Sequence, residues 1–211
     1  MKRIVSPVVS LAAAAALLAA PAAAQQTEHR DLLERAGESR AKGSPEAPVL
    51  VYEIADFQCP YCARFAQDVF PRIDSAYIRP GRVQWVFVNL PMPSHRVAWA
   101  ASEAALCAGA VSDRFWAMHD RLFAEPRDWT TANDPAAVII RYAREADVAM
   151  DEFTECIARD LVAPLILQDV IFGSRVTGTP TFIVDNQQTV VGVKSFEEWR
   201  EVLEAALRRK D

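Results

Sequence analysis

The sequence predicts a mixed α/β fold whose sheet is interrupted by an all-helical region. A β-rich stretch, a helical pattern and a second β-rich stretch follow one another between residues 49 and 88. Helical patterns alone fill residues 94–172, and a hairpin pattern with a last helix closes the chain. Two strand-bearing halves separated by helices indicate one sheet with a helical insertion.

The first half contains a strand, a helix and a strand. The run Val49 to Ala55 is mostly apolar and rich in β-forming residues, which predicts a buried strand. A helix should begin directly after it, because Pro60 suits the first helical turn. Apolar residues then recur at helical spacing: Phe65, Val69, Ile73 and Tyr77. Pro71 predicts a kink or break in that helix, and Val83 to Val88 predicts the second strand.

The second half contains a hairpin and a helix. Before it, residues 97–110, 114–124 and 135–146 are rich in alanine or amphipathic and predict helices. The β pattern returns at Thr181 to Val184, turns through Asp185-Asn186 and resumes at Thr189 to Val193. A last helix is expected from about Ser195 to Arg209, opened by a capping box that pairs Ser195 with Glu198.

The N-terminus has the pattern of a secretory signal peptide over residues 1–24. Lys2 and Arg3 precede an alanine-rich apolar stretch that ends in small residues, and the alternative is an uncleaved membrane anchor. Residues 25–48 are polar, with one weak helical patch at Leu32, Leu33 and Ala36, and are expected to form a leader onto the domain. The net charge of −5 argues against a nucleic-acid partner, because such proteins present a basic face. We therefore expect an exported protein, periplasmic or secreted.

Four cysteines follow the signal peptide, and two of them form a C-x-x-C pair, Cys59 and Cys62. At the first turn of a helix, unpaired N–H groups and the helix dipole lower the pKa of a thiol. Cys59 could then form a mixed disulfide that Cys62, one turn later, resolves. The alternatives are half of a zinc site or an inert staple. Zinc would need further ligands, yet the sequence has no second C-x-x-C pair, so no metal site is expected.

The residues around the pair resemble the DsbA-like thioredoxin family. The resemblance rests on five segments: residues 43–49 (GSPEAPV), residues 56–62 (DFQCPYC), residues 115–123 (FWAMHDRLF), Phe153 with Cys156, and residues 178–182 (GTPTF). It implies an α/β, thioredoxin-like fold with an inserted all-helical subdomain. Residues 49–93 and 173–211 would form the thioredoxin-like domain and residues 94–172 the helical insertion.

The resemblance also implies roles for single residues. Pro180 would be a cis-proline facing the cysteines, and Thr179 would offer its backbone to an extended substrate, beside Pro60 and Tyr61. Glu53 would be a buried acid beneath Cys62 that moves its proton, although a partly solvated strand residue is the alternative. Asp56 and Gln58 flank the site and are given at most a modulating role. His95 is expected to have a surface or capping role, with a catalytic role as the alternative.

Cys107 and Cys156 both lie in the helical insertion. We expect a structural disulfide between them, for which loop closure predicts a stabilisation of roughly 4 kcal/mol. The competing hypothesis is a second redox pair that tunes the first.

The resemblance implies a protein-disulfide oxidoreductase whose redox-active disulfide, Cys59–Cys62, needs no cofactor. A dithiol oxidase is favoured, with a disulfide reductase or isomerase, or a non-catalytic chaperone-like binding module, as alternatives. Tyr61 stands where the most oxidising members carry histidine, so a less oxidising potential is expected. Partners would be unfolded or cysteine-containing envelope proteins and a redox partner that resets the site. The protein is expected to be a monomer.

Overall fold

A five-stranded mixed sheet forms the centre of the computed structural model, which describes residues 26–210. Its strands lie in the order β1-β3-β2-β4-β5. They are β1 (Ala41–Lys42), β2 (Val49–Ala55), β3 (Val83–Asn89), β4 (Thr181–Val184) and β5 (Gln188–Val191). The central strands β2 and β3 are parallel, and every other neighbouring pair is antiparallel. The predicted mixed sheet is therefore confirmed.

Ten α-helices accompany the sheet in the described part of the chain. The first, α1, spans residues 26–39. Two helices lie between β2 and β3, α2 (Pro60–Asp68) and α3 (Phe70–Ile73), and one follows β5, α10 (Phe196–Arg208). The others lie between β3 and β4: α4 (Ala98–Ser112), α5 (Phe115–Ala124), α6 (Pro126–Thr130), α7 (Pro135–Glu145), α8 (Met150–Ala158) and α9 (Ala163–Phe172). Residues 94–172 contain no strand, as the sequence predicts.

The helix after β2 is broken near the proline that predicts a break. The helix α2 ends at Asp68, α3 follows with Pro71 in its first turn, and a π-helical turn over Asp74–Ile78 completes the segment. Pro71 has no N–H to donate, so it fits a helix start and not a helix interior. The predicted interruption is confirmed.

The two faces of the sheet have separate cores. One face packs under α2, α3 and α10, where the large buried side chains are Phe65, Trp85, Phe182 and Trp199. The Phe65 and Phe182 ring centroids lie 4.6 Å apart, and those of Phe182 and Trp199 lie 4.8 Å apart. On the other face, Ile54, Val88 and Leu90 pack with Val170 of α9.

A third core fills the helical insertion and extends to the end of β2. Phe57, two residues beyond that strand, is fully buried; its ring stacks on that of Phe87 at a centroid distance of 4.9 Å and lies tilted against that of Phe123 at 5.0 Å. A disulfide joins Cys107 of α4 to Cys156 of α8, with a Cα–Cα distance of 5.9 Å. The packing of Phe57 therefore ties the segment before the cysteine pair to the helices.

The prediction of a polar leader over residues 25–48 is wrong for most of that segment. Ala36 of α1 is fully buried, and Arg35 donates a hydrogen bond to the Ala110 carbonyl oxygen at 2.9 Å. A Cβ on Gly109 would lie 2.1 Å from Ser39 Oγ, so α1 approaches α4 closely where Gly109 leaves room. In the sequence this helix shows only as the weak helical patch at Leu32, Leu33 and Ala36, because charged residues leave its apolar face narrow.

The strand β1 also lies within the supposed leader. Ala41 pairs with Val86 and Lys42 with Trp85, which adds an antiparallel edge strand to β3. Arg40 forms an ion pair with the buried carboxylate of Asp169 on α9. A strand of two residues is too short to produce an alternating pattern in the sequence. Its place in the sheet is therefore visible only from its pairing with β3.

The closing half agrees with the sequence apart from the two ends of its second strand. Asp185 and Asn186 turn the hairpin with φ of 52° and 57°, a conformation that these two residue types tolerate. The second strand begins at Gln188 and ends at Val191, slightly earlier than predicted. The capping box of Ser195 and Glu198 is confirmed. The predicted signal peptide, residues 1–24, lies outside the described residues. Within residues 26–210, no helix is both long and apolar enough to span a membrane.

Candidate active site

Cys59 caps the N-terminus of α2, directly after the carboxyl end of β2. Its backbone is extended (φ −74°, ψ 123°), and Pro60 occupies the first turn of the helix. The Cys59 N–H donates to the Asp56 carbonyl oxygen at 3.0 Å, and the Cys59 carbonyl oxygen accepts from Ala63 at 3.1 Å. Cys59 keeps 6% of its surface exposed while Cys62 is fully buried. Only the first sulfur can therefore meet a protein substrate.

The surroundings of Cys59 favour a thiolate. A hydrogen bond from the Cys62 side chain is the main cause that lowers the pKa of Cys59 to about 5, and burial opposes it. The Thr179 side chain and the backbone N–H groups of Cys62 and Tyr61 lower the pKa further. These N–H groups belong to the first turn of α2 and have no partner within the helix.

Cys62 has the opposite character. Burial raises its pKa well above that of a free thiol, and the neighbouring Cys59 raises it again. A hydrogen bond from the Asp56 backbone opposes these two effects. The pair therefore consists of one nucleophilic thiolate and one thiol that stays protonated.

The segment before β4, the strand that neighbours β2, lies beside Cys59. The Thr179-Pro180 peptide bond is cis, and the Cys59 thiol donates to the Thr179 carbonyl oxygen at 3.4 Å. The Gly192 N–H, next to β5, donates to the Pro180 carbonyl oxygen at 2.9 Å, which fixes the loop to the hairpin. The structure thus brings Thr179 and Pro180 to Cys59, as the resemblance implies.

Glu53 is buried in β2 on the face covered by α2 and α10. Its Oε2 accepts a hydrogen bond from the Trp85 indole at 2.7 Å, while its Oε1 has no hydrogen-bond partner among residues 26–210. Burial raises the pKa of Glu53 to about 8, although the Trp85 bond lowers it. The alternative of a partly solvated strand residue is therefore wrong. Its direct partner is Trp85, a residue that the sequence analysis did not connect with it.

Asp56 organises the turn between β2 and α2, a larger part than the sequence analysis gave it. Its buried carboxylate accepts from the Gln58 N–H at 2.7 Å through Oδ1. Oδ2 accepts from the Met92 N–H at 2.7 Å and lies 2.8 Å from His95 Nδ1. An aspartate two residues before a hydrogen-bonded N–H is the signal of an Asx turn, which could have been recognised in the sequence.

The remaining predicted residues divide between the site and its surroundings. Pro60 is exposed, and Tyr61 keeps 61% of its surface exposed beside Cys59. Gln58 accepts from the Val97 N–H at 3.1 Å. Cys107 and Cys156 form a disulfide with each other in the helical insertion, and Cys59 and Cys62 are free thiols.

Comparison with known proteins places this geometry in a family. A family model described as thioredoxin matches residues 35–205. The chain is 28% identical over 187 residues to disulfide bond formation protein D of Bacillus subtilis, covering 82% of each protein. It is 37% identical over 150 residues to the Na(+)/H(+) antiporter NhaA 3 of Salinispora tropica, covering 70% of this chain and 22% of that protein. The chain thus spans about a fifth of the antiporter's length.

A solved structure agrees with these matches. The crystal structure of oxidised BdbD from Bacillus subtilis gives a TM-score of 0.72 at 25% identity, covering 80% of this chain and 92% of that chain. The chain therefore belongs to the thioredoxin family, as a DsbA-like member in which a helical insertion separates the two halves of the sheet.

Proposed function

We propose that this protein is an exported thiol:disulfide oxidoreductase that acts through Cys59 and Cys62, most readily as a dithiol oxidase. The observation that carries the proposal is the contrast between the two sulfurs at the start of α2. Cys59 reaches the surface and its pKa is lowered to about 5, whereas Cys62 is buried and its pKa is raised. An inert staple would need no such contrast.

Oxidation of a substrate proceeds in two thiol–disulfide exchanges. A substrate thiolate attacks the Cys59 sulfur of the oxidised pair, which forms a mixed disulfide and releases Cys62 as a thiolate. Cys62 then takes a proton, because its pKa is high. A second substrate thiolate attacks the substrate sulfur of the mixed disulfide, which forms the substrate disulfide and releases Cys59 as a stabilised thiolate. Two electrons pass from the substrate to the pair.

The surroundings of Cys59 supply the other parts of this scheme. Thr179 and Pro180 lie where an extended substrate segment would pass, and the exposed Tyr61 and Pro60 border it. Glu53 would take or deliver the Cys62 proton, because it is buried and its raised pKa lets it hold a proton near neutral pH. Neither role needs a cofactor besides the Cys59–Cys62 disulfide.

The proposed setting is the periplasm or the exterior of the cell, reached through the signal peptide of residues 1–24. The substrates would be unfolded or cysteine-containing envelope proteins. A separate redox partner would reoxidise the pair after each turnover. The protein would act as a monomer and would bind no nucleic acid.

The direction of the reaction is tested by the reduction potential of the pair. Mature protein is equilibrated against glutathione buffers, and the thiols of Cys59 and Cys62 are counted by mass spectrometry apart from those of Cys107 and Cys156. A reduction potential near about −120 mV supports a disulfide donor, because that value is typical of a strong dithiol oxidase. Glutaredoxins, which act as reductants, lie near about −230 mV. The lower value would instead indicate a reductase or an isomerase.

Two variants test whether the protein is an enzyme at all. Cys59→Ser should abolish the oxidation of a reduced substrate protein, and Cys62→Ala should trap mixed disulfides on Cys59. A chaperone-like binding module would keep its effect on aggregation in the Cys59→Ser variant. If the pair does not titrate reversibly in the parent protein, the oxidoreductase proposal fails.

A further inference from the structure

The turn that presents Cys59 is held by one fully buried carboxylate. Asp56 has 0% of its surface exposed and accepts hydrogen bonds from the backbone N–H groups of Gln58 and Met92. Its own carbonyl oxygen accepts from the Cys59 N–H. A single side chain therefore ties the start of α2 to the loop after β3.

His95 supplies the third donor to this carboxylate. Its Nδ1 lies 2.8 Å from Asp56 Oδ2, and its side chain is 26% exposed. A buried carboxylate is costly unless every acceptor position finds a donor. Since the other two donors are backbone groups, His95 is the one side-chain donor to Asp56 in the described part of the chain.

A second side-chain hydrogen bond, besides that between His95 and Asp56, joins the loop after β3 to the cysteine turn. Gln58 lies one residue before Cys59, and its Oε1 accepts from the Val97 N–H at 3.1 Å. The stretch from Met92 to Val97 thus contacts the cysteine turn at three points, through Met92, His95 and Val97. Of these three contacts, only the one from His95 can be removed by changing a side chain without altering the turn itself.

We propose that His95 is a positioning residue: through the carboxylate of Asp56, it fixes the turn that holds Cys59 at the N-terminus of α2. This inference deepens the proposed function and rests on it. Hydrogen bonds to a thiolate depend on direction, so the N–H groups of Tyr61 and Cys62 stabilise Cys59 only while the turn keeps the sulfur in place. Freed from His95, the turn samples positions in which these bonds lengthen.

Removal of the His95 donor should therefore destabilise the thiolate form of Cys59, although His95 makes no contact with the sulfur in the proposed scheme. We expect His95→Ala to raise the pKa of Cys59 by about one unit, measured from thiolate absorbance in the ultraviolet. At pH 7 the same change should make the pair about tenfold less oxidising against glutathione, or about 30 mV lower in potential. A role in stability alone would lower the melting temperature and leave both quantities unchanged.

Two further variants make the test specific. The side-chain amide of asparagine can place a donor near the position of His95 Nδ1. His95→Asn should therefore restore the acid dissociation constant of Cys59 and the redox equilibrium constant against glutathione to within about twofold of the parent protein. His29→Ala is the matched control. His29 lies on α1, away from the cysteines, and its Nε2 hydrogen-bonds the Leu161 carbonyl oxygen at 2.8 Å. That control should change neither value.

If His95→Ala fails to fold, His95→Phe keeps a ring in the same space without the donor and takes its place. Unchanged pKa and potential in the donor-free variant, while the parent protein titrates reversibly, would overturn the positioning role and leave the oxidoreductase function intact. Equal losses in the alanine and asparagine variants would also overturn it, because the Nδ1 donor would not be the cause. A parent protein that does not titrate would overturn the proposed function instead.

Discussion

The Sγ of Cys59 donates a hydrogen bond to the carbonyl oxygen of Thr179 at 3.4 Å, across 120 residues of sequence. The contact joins the first half of the sheet to the second half, which the helical insertion separates in the chain. The side chain of Thr179 also lowers the pKa of Cys59. Thr179 therefore acts on the cysteine in two opposite ways: its carbonyl oxygen accepts from the protonated thiol, and its side-chain hydroxyl favours the thiolate.

Removal of this hydroxyl should make Cys59 less acidic. Thr179→Val keeps the shape of the side chain but loses the donor, and a hydrogen bond to a charged group contributes about 1.5–3 kcal/mol. We expect the pKa of Cys59 to rise from about 5 by about one unit, measured by thiolate absorbance between pH 3 and 10. Thr181→Val is the comparison, since its hydroxyl donates to the Gly178 carbonyl oxygen. A Thr179→Val titration that overlays the parent curve would rule out the hydroxyl contribution.

The stability of the reduced protein should depend on pH through Cys59. Its pKa is about 5 in the folded state and near 9 for a free thiol, so the unfolded chain binds more protons between these values. The contribution of Cys59 to the stability of the reduced form therefore rises with pH from about 5 upward and is lost as the pH falls through 5. Between pH 5 and 7 the gain should be roughly 2–3 kcal/mol.

The oxidised protein and the Cys59→Ser variant supply the reference for this measurement. Neither has a titrating thiol at position 59, so denaturant unfolding at pH 5, 6 and 7 should give parallel pH profiles for the two. Only the reduced parent protein should gain stability relative to them. A constant difference between reduced and oxidised protein across this range would contradict the lowered pKa.

Much of the fold could be predicted because its signals are local. The strand Val49–Ala55 agrees at both ends, since an apolar run after a breaker is unambiguous when the strand is central. The Ser195 capping box and the break at Pro71 are encoded within a few residues. The pairing of β1 with β3 joins residues far apart and leaves no local pattern, so it emerges only in the fold.

The candidate site divides in the same way. Cys59, Cys62, Thr179 and Pro180 form short motifs, and the structure brings all four together. Two partners escaped prediction because they lie on other elements. Trp85 reaches Glu53 from the neighbouring strand, and His95 reaches Asp56 from the loop after β3. Such contacts depend on strand register and loop path, which residue types alone do not specify.

Glu53 should destabilise the fold as the pH rises. Its pKa is about 8 in the folded state and 4.5 without burial, so the folded protein binds more protons between these values. The contribution of protonated Glu53 is complete below about pH 4.5 and is lost as the pH rises towards 8. Relative to the parent protein, Glu53→Gln should thus gain stability over this range, by a few kcal/mol at pH 8.

This difference is best measured on oxidised protein, so that Cys59 does not titrate. Unfolding by urea at pH 4.5 and at pH 8 gives the two values for each protein. Glu152→Gln, at an exposed position of α8, should follow the parent protein at both pH values. If Glu53→Gln also ran parallel to the parent protein, the carboxyl group would not be held protonated by its burial.

The disulfide between Cys107 and Cys156 should stabilise the protein without taking part in the exchange reaction. It closes a loop with a sequence separation of 49 residues between α4 and α8, for which chain entropy predicts about 4 kcal/mol. We expect the double variant Cys107→Ser with Cys156→Ser to lose several kcal/mol of unfolding free energy and to keep the reduction potential of Cys59 and Cys62. The alternative of a second redox pair makes the opposite prediction, a shifted potential. Equilibration of the double variant against glutathione, beside a denaturation curve of the same sample, separates the two, because a structural disulfide changes only the curve.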